Sequence, residues 1–209
     1  MLRDQAQHAY TVRYKMVCCS YRGYWTSKGR PSESGIMQDT QAALRWIEDD
    51  ASKFRHQDSA HTSSVAVWGQ SIGAGFASKL VALSVAPHQI PITTLILETP
   101  FLSIKSMLET LYPQKWLPYR YLSPFLRNHL DTPKALEHLA RTKSILPRIL
   151  ILDAGKDELV PVSHADQLEL VSRKLTYDVT RYTVAGALHT EAIARFEGRK
   201  QIVEAIRRT

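Results

Sequence analysis

A chain of 209 residues, 44% hydrophobic and 22% charged, is long enough for one domain with a sizeable core and too ordinary in composition to be fibrous or disordered. It contains no run of about 18 apolar residues that would encode a membrane-spanning helix. Its polar start, Met1-Leu2-Arg3-Asp4-Gln5, leads into no apolar stretch of the kind a signal peptide requires. The net charge of +7 raises the question of anionic partners. The charges are spread out, and the densest group is Arg195, Arg199, Lys200, Arg207 and Arg208. That group reads as a solvated basic helix face, with attraction to a membrane surface as the competing reading. No basic strip with stacked aromatics points to nucleic acid.

The first predicted element is residues 14–20, a short apolar run ending at Ser20 and read as a buried strand. It holds the only two cysteines, Cys18 and Cys19. Neighbours on a strand point to opposite faces, so these two do not bridge each other. With no further cysteine the chain is neither a disulfide scaffold nor a zinc ribbon, which fits a reducing, intracellular compartment. From Gly35 to Phe54 the pattern turns helical, with Ile36, Ala43, Leu44 and Ile47 at spacings of three to four. Strands follow at 64–68, 93–97, 148–153 and 178–184. Helices are expected at 73–85, 163–174 and 190–207. Short apolar strands alternating with amphipathic helices predict an α/β fold, a mostly parallel sheet flanked by helices.

Residues 101–147 break the rhythm. They carry Pro113, Pro118, Pro124, Pro133 and Pro147, with Phe101, Tyr112, Trp116, Tyr119, Tyr121 and Phe125. The segment is too long for a plain loop. It reads as a short helical, cap-like insertion over one edge of a single domain that spans residues 1–209.

The sharpest chemical signal is Gly69-Gln70-Ser71-Ile72-Gly73, between a predicted strand and a predicted helix. A G-x-S-x-G turn in that setting raises a serine hydroxyl above the sheet's C-terminal edge. It also leaves helix N–H groups, that of Ile72 among them, facing a developing oxyanion. A serine needs a base and a group to orient that base. Asp157, in Gly155-Lys156-Asp157-Glu158-Leu159-Val160-Pro161, follows one strand. His189 follows the last, after Gly186-Ala187-Leu188. Both loops lie at the sheet edge where such folds gather their sites. Asp153, Glu158 and Glu98 compete for the acid role. The set Ser71, Asp157 and His189 is the expected catalytic triad.

Further segments carry a family resemblance. Tyr21-Arg22-Gly23-Tyr24-Trp25-Thr26-Ser27 resembles the R-G-x-G-x-S turn after the fourth strand of the α/β-hydrolases. Pro31-Ser32-Glu33-Ser34-Gly35-Ile36 with Asp39, the G-x-S-x-G turn, Glu98-Thr99-Pro100-Phe101 and the segment around Asp157 are similar to one branch. That branch holds the bud-emergence (Bem-type) hydrolases and α/β-hydrolase domain-containing protein thirteen.

The resemblance covers nearly the whole chain. It implies a serine-hydrolase fold without metal or cofactor, and substrates that are small-molecule or acylated-protein esters, thioesters or amides. Relatives are often membrane-anchored. The resemblance also marks two departures. Trp25 stands where the family has glycine, and Met1 falls about where the family's oxyanion loop ends. The expectation is therefore a fold lacking its first strands, the anchor and half of the oxyanion hole, with the Ile72 N–H as the remaining donor. An inactive interaction module of the same fold, or a fragment of an enzyme, is the alternative this leaves open.

Overall fold

The computed structural model describes residues 12–55, 62–84, 90–112 and 128–209. Helix α1 (Glu33–Arg55) leads into strand β1 (Val65–Gln70) and helix α2 (Ile72–Leu83). Strand β2 (Ile92–Glu98) follows, then helices α3 (Ile104–Leu111) and α4 (Thr132–Thr142). The chain closes with β3 (Arg148–Ala154), α5 (Val162–Lys174), β4 (Val179–Val184) and α6 (Phe196–Arg207). The four strands form one sheet in the order β1-β2-β3-β4, and every pair is parallel. The predicted α/β architecture is the one observed.

The period of two along each strand sorts the core onto two faces. Leu95, Leu97, Ile149, Ile151 and Val179 share one cluster with Ala74, Ala77 and Val81 of α2, Leu136 and Leu139 of α4, and Ala165 and Leu168 of α5. The intervening residues Ile96, Leu150, Leu152 and Val184 cluster with Ile202 of α6. Strands covered on both sides read as continuous apolar runs, which is how Leu95-Ile96-Leu97 and Ile149-Leu150-Ile151-Leu152 appear in the sequence. A third cluster joins Ile36, Met37 and Leu44 of α1 to Val65, Phe76 and Leu80.

The expected strand at 14–20 is a correction. Residues 12–20 have no regular structure and are exposed, Met16 by 74%. An apolar run becomes a strand only when a neighbour takes up its backbone groups, and among the described residues no strand pairs with this one. The last helix also starts later than its apolar pattern suggested. Residues 190–195 form turns and α6 begins at Phe196.

Within 101–147, α4 is set by its N-cap Asp131, whose side chain accepts from the Lys134 N–H. It buries Leu136 and Leu139 completely in the sheet's helical layer. Helix α3 opens with a capping box between Ser103 and Ser106 and stands near the candidate site. Pro113, Trp116, Pro118, Tyr119, Tyr121, Pro124 and Phe125 lie outside the described residues. No helix of the described residues is long and apolar enough to cross a membrane.

Candidate active site

Ser71 sits between β1 and α2 with φ 51° and ψ −116°, a conformation that costs a non-glycine residue about 1–3 kcal/mol. Two features hold it there. The Ser71 N–H donates to the Glu98 carbonyl at 2.8 Å, and the Ala74 N–H donates to the Ser71 carbonyl at 3.0 Å. Gly69 makes the turn possible, because a Cβ there would lie 2.1 Å from the Gly73 carbonyl oxygen and 2.6 Å from the Ala74 nitrogen. Gly73 is different. A Cβ on it would meet only the Tyr21 hydroxyl, at 3.8 Å. The sequence pattern suggests that both glycines answer to crowding, but the steric demand falls on the first alone. The Ser71 hydroxyl makes no capping bond to α2. Ile72 is the first residue of that helix, so its N–H has no acceptor within the helix.

Asp157 and His189 come from the turns after β3 and β4. These turns are stitched together by the Gly155 N–H on the Val184 carbonyl and the Lys156 N–H on the Ala187 carbonyl, both at 2.8 Å. Asp157 Oδ1 accepts the Leu159 N–H at 2.9 Å and the Val160 N–H at 2.8 Å. The carboxylate also meets His189 Nδ1 at 3.0 Å and 2.9 Å. An ionised carboxylate only accepts hydrogen bonds, so Nδ1 carries the imidazole proton and Nε2 is left as an acceptor. The His189 N–H donates to Glu158 Oε2 at 2.9 Å. His189 is 4% exposed, with its ring held by Asp157 and its backbone by Glu158.

Ser71 and His189 line one cavity of about 230 Å³. Its remaining wall is apolar: Phe101, Ile104, Met107, Leu108 and Leu111 on the α3 side, Leu159 and Val160 beyond Asp157. The three residues singled out from sequence are thus brought to one edge of the sheet, Ser71 and His189 on one cavity and Asp157 on the imidazole. The competing acids have other partners. Asp153 binds Arg181 at 3.0 Å and the Thr183 hydroxyl at 2.9 Å. Glu158 holds the backbone of His189 rather than its ring. Glu98, 1% exposed, accepts from Trp68 Nε1, Gln70 Nε2 and the Ile193 N–H. Sequence reasoning weighed Glu98 and Glu158 only as alternative acids and missed them as scaffold. No local signal reveals Glu98, because its place depends on register: β2 lies beside β1 with Glu98 opposite Gln70, directly before Ser71.

Residues 34–190 match the model of a family described by its alpha/beta hydrolase fold. An uncharacterised protein of Mycobacterium tuberculosis is 31% identical over 188 residues, 90% of this chain and 57% of its own length. Protein bem46 of Schizosaccharomyces pombe is 36% identical over 142 residues, 68% of this chain and 41% of its own. The lysophosphatidylserine lipase ABHD12 of Xenopus tropicalis is 33% identical over 155 residues, 72% of this chain and 37% of its own. The chain therefore spans only about two fifths to three fifths of these relatives. An alpha-beta hydrolase of Vibrio vulnificus superposes with a TM-score of 0.65 at 21% identity, over 88% of this chain and 61% of that one. The Pyrococcus furiosus esterase Pf2001 does so at 0.62 and 18% identity, over 90% and 66%, and both likenesses speak to the fold. The family match over residues 34–190 agrees with the observed parallel sheet flanked by helices, and with protein bem46 among its relatives the chain belongs to the α/β-hydrolase fold family.

Proposed function

We propose that this chain is a serine hydrolase that cleaves ester or thioester bonds, and amides of the same acyl groups, through an acyl-enzyme. Ser71 is the nucleophile, His189 the general base and Asp157 the group that orients and charges-balances the imidazole. His189 Nε2 takes the Ser71 proton as the oxygen attacks the substrate's carbonyl carbon. The carbonyl oxygen becomes an oxyanion facing the Ile72 N–H at the positive end of α2. Collapse of that intermediate expels the alcohol or thiol, which receives the proton from His189. Water then attacks the acyl-enzyme with His189 again as base, and the freed acid leaves Ser71 restored.

The observation that carries this reading is the Asp157–His189 pair, 2.9 Å apart, with His189 on the same cavity as a serine held at positive φ. The apolar wall of that cavity supports an acyl or lipid-like chain as the bound group. At about 230 Å³ the cavity lies below the roughly 300–1,000 Å³ of sites that enclose drug-sized ligands, which suits one acyl chain rather than a whole lipid. A relative named as a lysophosphatidylserine lipase points the same way. Acylated proteins are the other substrate class of this chemistry, and the basic residues of α6 suit a negatively charged membrane surface as the place where either is met.

The test is hydrolysis of acetyl, hexanoyl and lauroyl p-nitrophenyl esters by the full chain and by Ser71→Ala. The expected result is turnover that is fastest for hexanoyl and is abolished in Ser71→Ala. Absence of turnover above background in folded protein, or equal rates for the variant, would overturn the reading and leave an inactive module of hydrolase fold.

A further inference from the structure

We infer that Glu98 is a positioning residue, a buried carboxylate that locks the nucleophile turn to the histidine loop. The inference rests on the serine-hydrolase reading for its catalytic consequence, but its structural content stands on Glu98's own contacts. Its backbone carbonyl accepts the N–H of Ser71 at 2.8 Å. Its Oε1 accepts Gln70 Nε2 at 3.2 Å and the Ile193 N–H at 3.0 Å, and its Oε2 accepts Trp68 Nε1 at 3.1 Å. One residue thus holds the strand before the nucleophile, the nucleophile itself and the turn four residues after His189.

That turn is wedged from the other side as well. Ala192 is fully buried, and a Cβ on Gly198 of α6 would lie 1.9 Å from the Ala192 carbonyl oxygen. The segment 190–195 is therefore caught between α6 and Glu98. This also accounts for α6 starting at Phe196 rather than directly after the histidine.

The energetics argue against a purely structural role. A buried carboxylate is costly, and such groups are ordinarily paired with a cation. The bonds that Glu98 accepts come from two neutral side chains and one backbone amide. Burial pushes its carboxyl upward, against the Ile193, Trp68 and Gln70 donors and the field of His189, which favour the charged form. An amide or a leucine would fill this space with less desolvation. What only an acceptor-only group provides is simultaneous capture of three N–H donors, two from β1 and one from the turn after His189, whose relative placement positions Ser71 against His189.

The experiment compares wild type, Glu98→Gln and Glu98→Leu, with circular dichroism to confirm folding. Glu98→Gln keeps the shape but turns a donor toward at least one of the three N–H groups, and Glu98→Leu removes every acceptor. The first readout is hydrogen exchange of residues 188–195. The second is the downfield proton resonance of His189 Nδ1–H, and the third is the kcat and KM of ester hydrolysis. Protection of 188–195 is expected to fall at least about tenfold in Glu98→Leu. kcat is expected to fall by about 10²-fold with KM nearly unchanged, since misplacing a catalytic group by about 1 Å costs that much. Glu98→Gln should fall between the two, with its melting temperature within a few degrees of wild type. Unchanged exchange and an unchanged Nδ1–H resonance in both folded variants would overturn the inference. So would losses of rate that merely track the unfolded fraction. If wild type itself turns over no ester, the hydrolase reading fails by that result, while exchange and resonance still decide whether Glu98 locks the loop.

Discussion

Replacing Gly69 by alanine tests the steric logic of the turn at Ser71. The added Cβ would lie 2.1 Å from the Gly73 oxygen, 2.3 Å from the Gly73 carbon and 2.6 Å from the Ala74 nitrogen. All three are backbone atoms, so no side-chain rotation relieves the clash. The turn must open, carrying Ser71 and the start of α2 with it. Overpacking of this kind costs about 1–3 kcal/mol and sometimes more. For a chain of this length each kcal/mol lowers the melting temperature by about 2–4 °C, so a fall of about 6–12 °C is expected at the upper end. Esterase activity should fall further than stability does, by about 10²-fold or more for a shift near 1 Å. Gly73→Ala is the internal control. Its Cβ meets only the Tyr21 hydroxyl at 3.8 Å, and alanine is the better helix former by about 1 kcal/mol. It should melt at or slightly above the wild-type temperature. Thermal melts followed by circular dichroism, with ester hydrolysis on the same samples, separate the two variants. Equal behaviour of Gly69→Ala and wild type would refute the reasoning, as would a larger loss for Gly73→Ala than for Gly69→Ala.

Asp157→Asn keeps an acceptor for the Leu159 and Val160 amides but turns a donor toward His189 Nδ1. That forces the imidazole proton onto Nε2, and ester turnover should drop by about 10⁴-fold with little change in melting temperature. Trp25 has φ 51° and is 93% exposed, so its replacement loses almost no packing. A left-handed non-glycine residue costs about 1–2 kcal/mol, of which glycine's extra chain entropy returns about 0.5–1. Trp25→Gly should therefore gain about 0–1.5 kcal/mol and melt at or up to about 6 °C above wild type, and a fall would contradict the assigned conformation. Burial works to raise the Glu33 carboxyl, but Lys79 and the His129 and Leu130 amides together hold it below its ordinary value of 4.5. A depressed carboxylate contributes stability that is present above pH 4.5 and lost as pH falls through the lower folded value. Glu33→Gln should accordingly be less stable than wild type at pH 7, by about 1.5–3 kcal/mol for a bond to a charged group. The gap should narrow below pH 4.5 and close as pH falls through the depressed folded value, followed in urea titrations.

Much of this fold is legible in residue order, because strands buried on two faces announce themselves as apolar runs. Leu95-Ile96-Leu97 and Ile149-Leu150-Ile151-Leu152 are both strand interiors, each facing two layers. The same criterion fails at 14–20. There the run Met16-Val17-Cys18-Cys19 is equally apolar but exposed, since a run does not specify whether a neighbour exists to pair with it. The candidate site is read from residue types at strand ends, Ser71, Asp157 and His189, and the structure brings these three to one edge of the sheet. The site was not legible where the determinant is register. Glu98 matters because β2 lies beside β1 with Glu98 opposite Gln70, and no local pattern encodes that pairing. Glu158 matters through the His189 backbone amide, a contact 31 residues apart in sequence. The start of α6 was misjudged for a similar reason, since Thr190–Arg195 is turned by contacts with Glu98 and Gly198 rather than by its own helix propensity.

The most direct measurement is labelling of the full chain with a fluorophosphonate probe, followed by peptide mass spectrometry to locate the adduct. Serine hydrolysis through Ser71 predicts an adduct on the peptide containing Ser71, its disappearance in Ser71→Ala, and strong slowing in Asp157→Asn. A folded wild-type chain that takes up no probe, or one that carries it on another residue and labels equally as Ser71→Ala, would contradict the assignment of Ser71 as nucleophile.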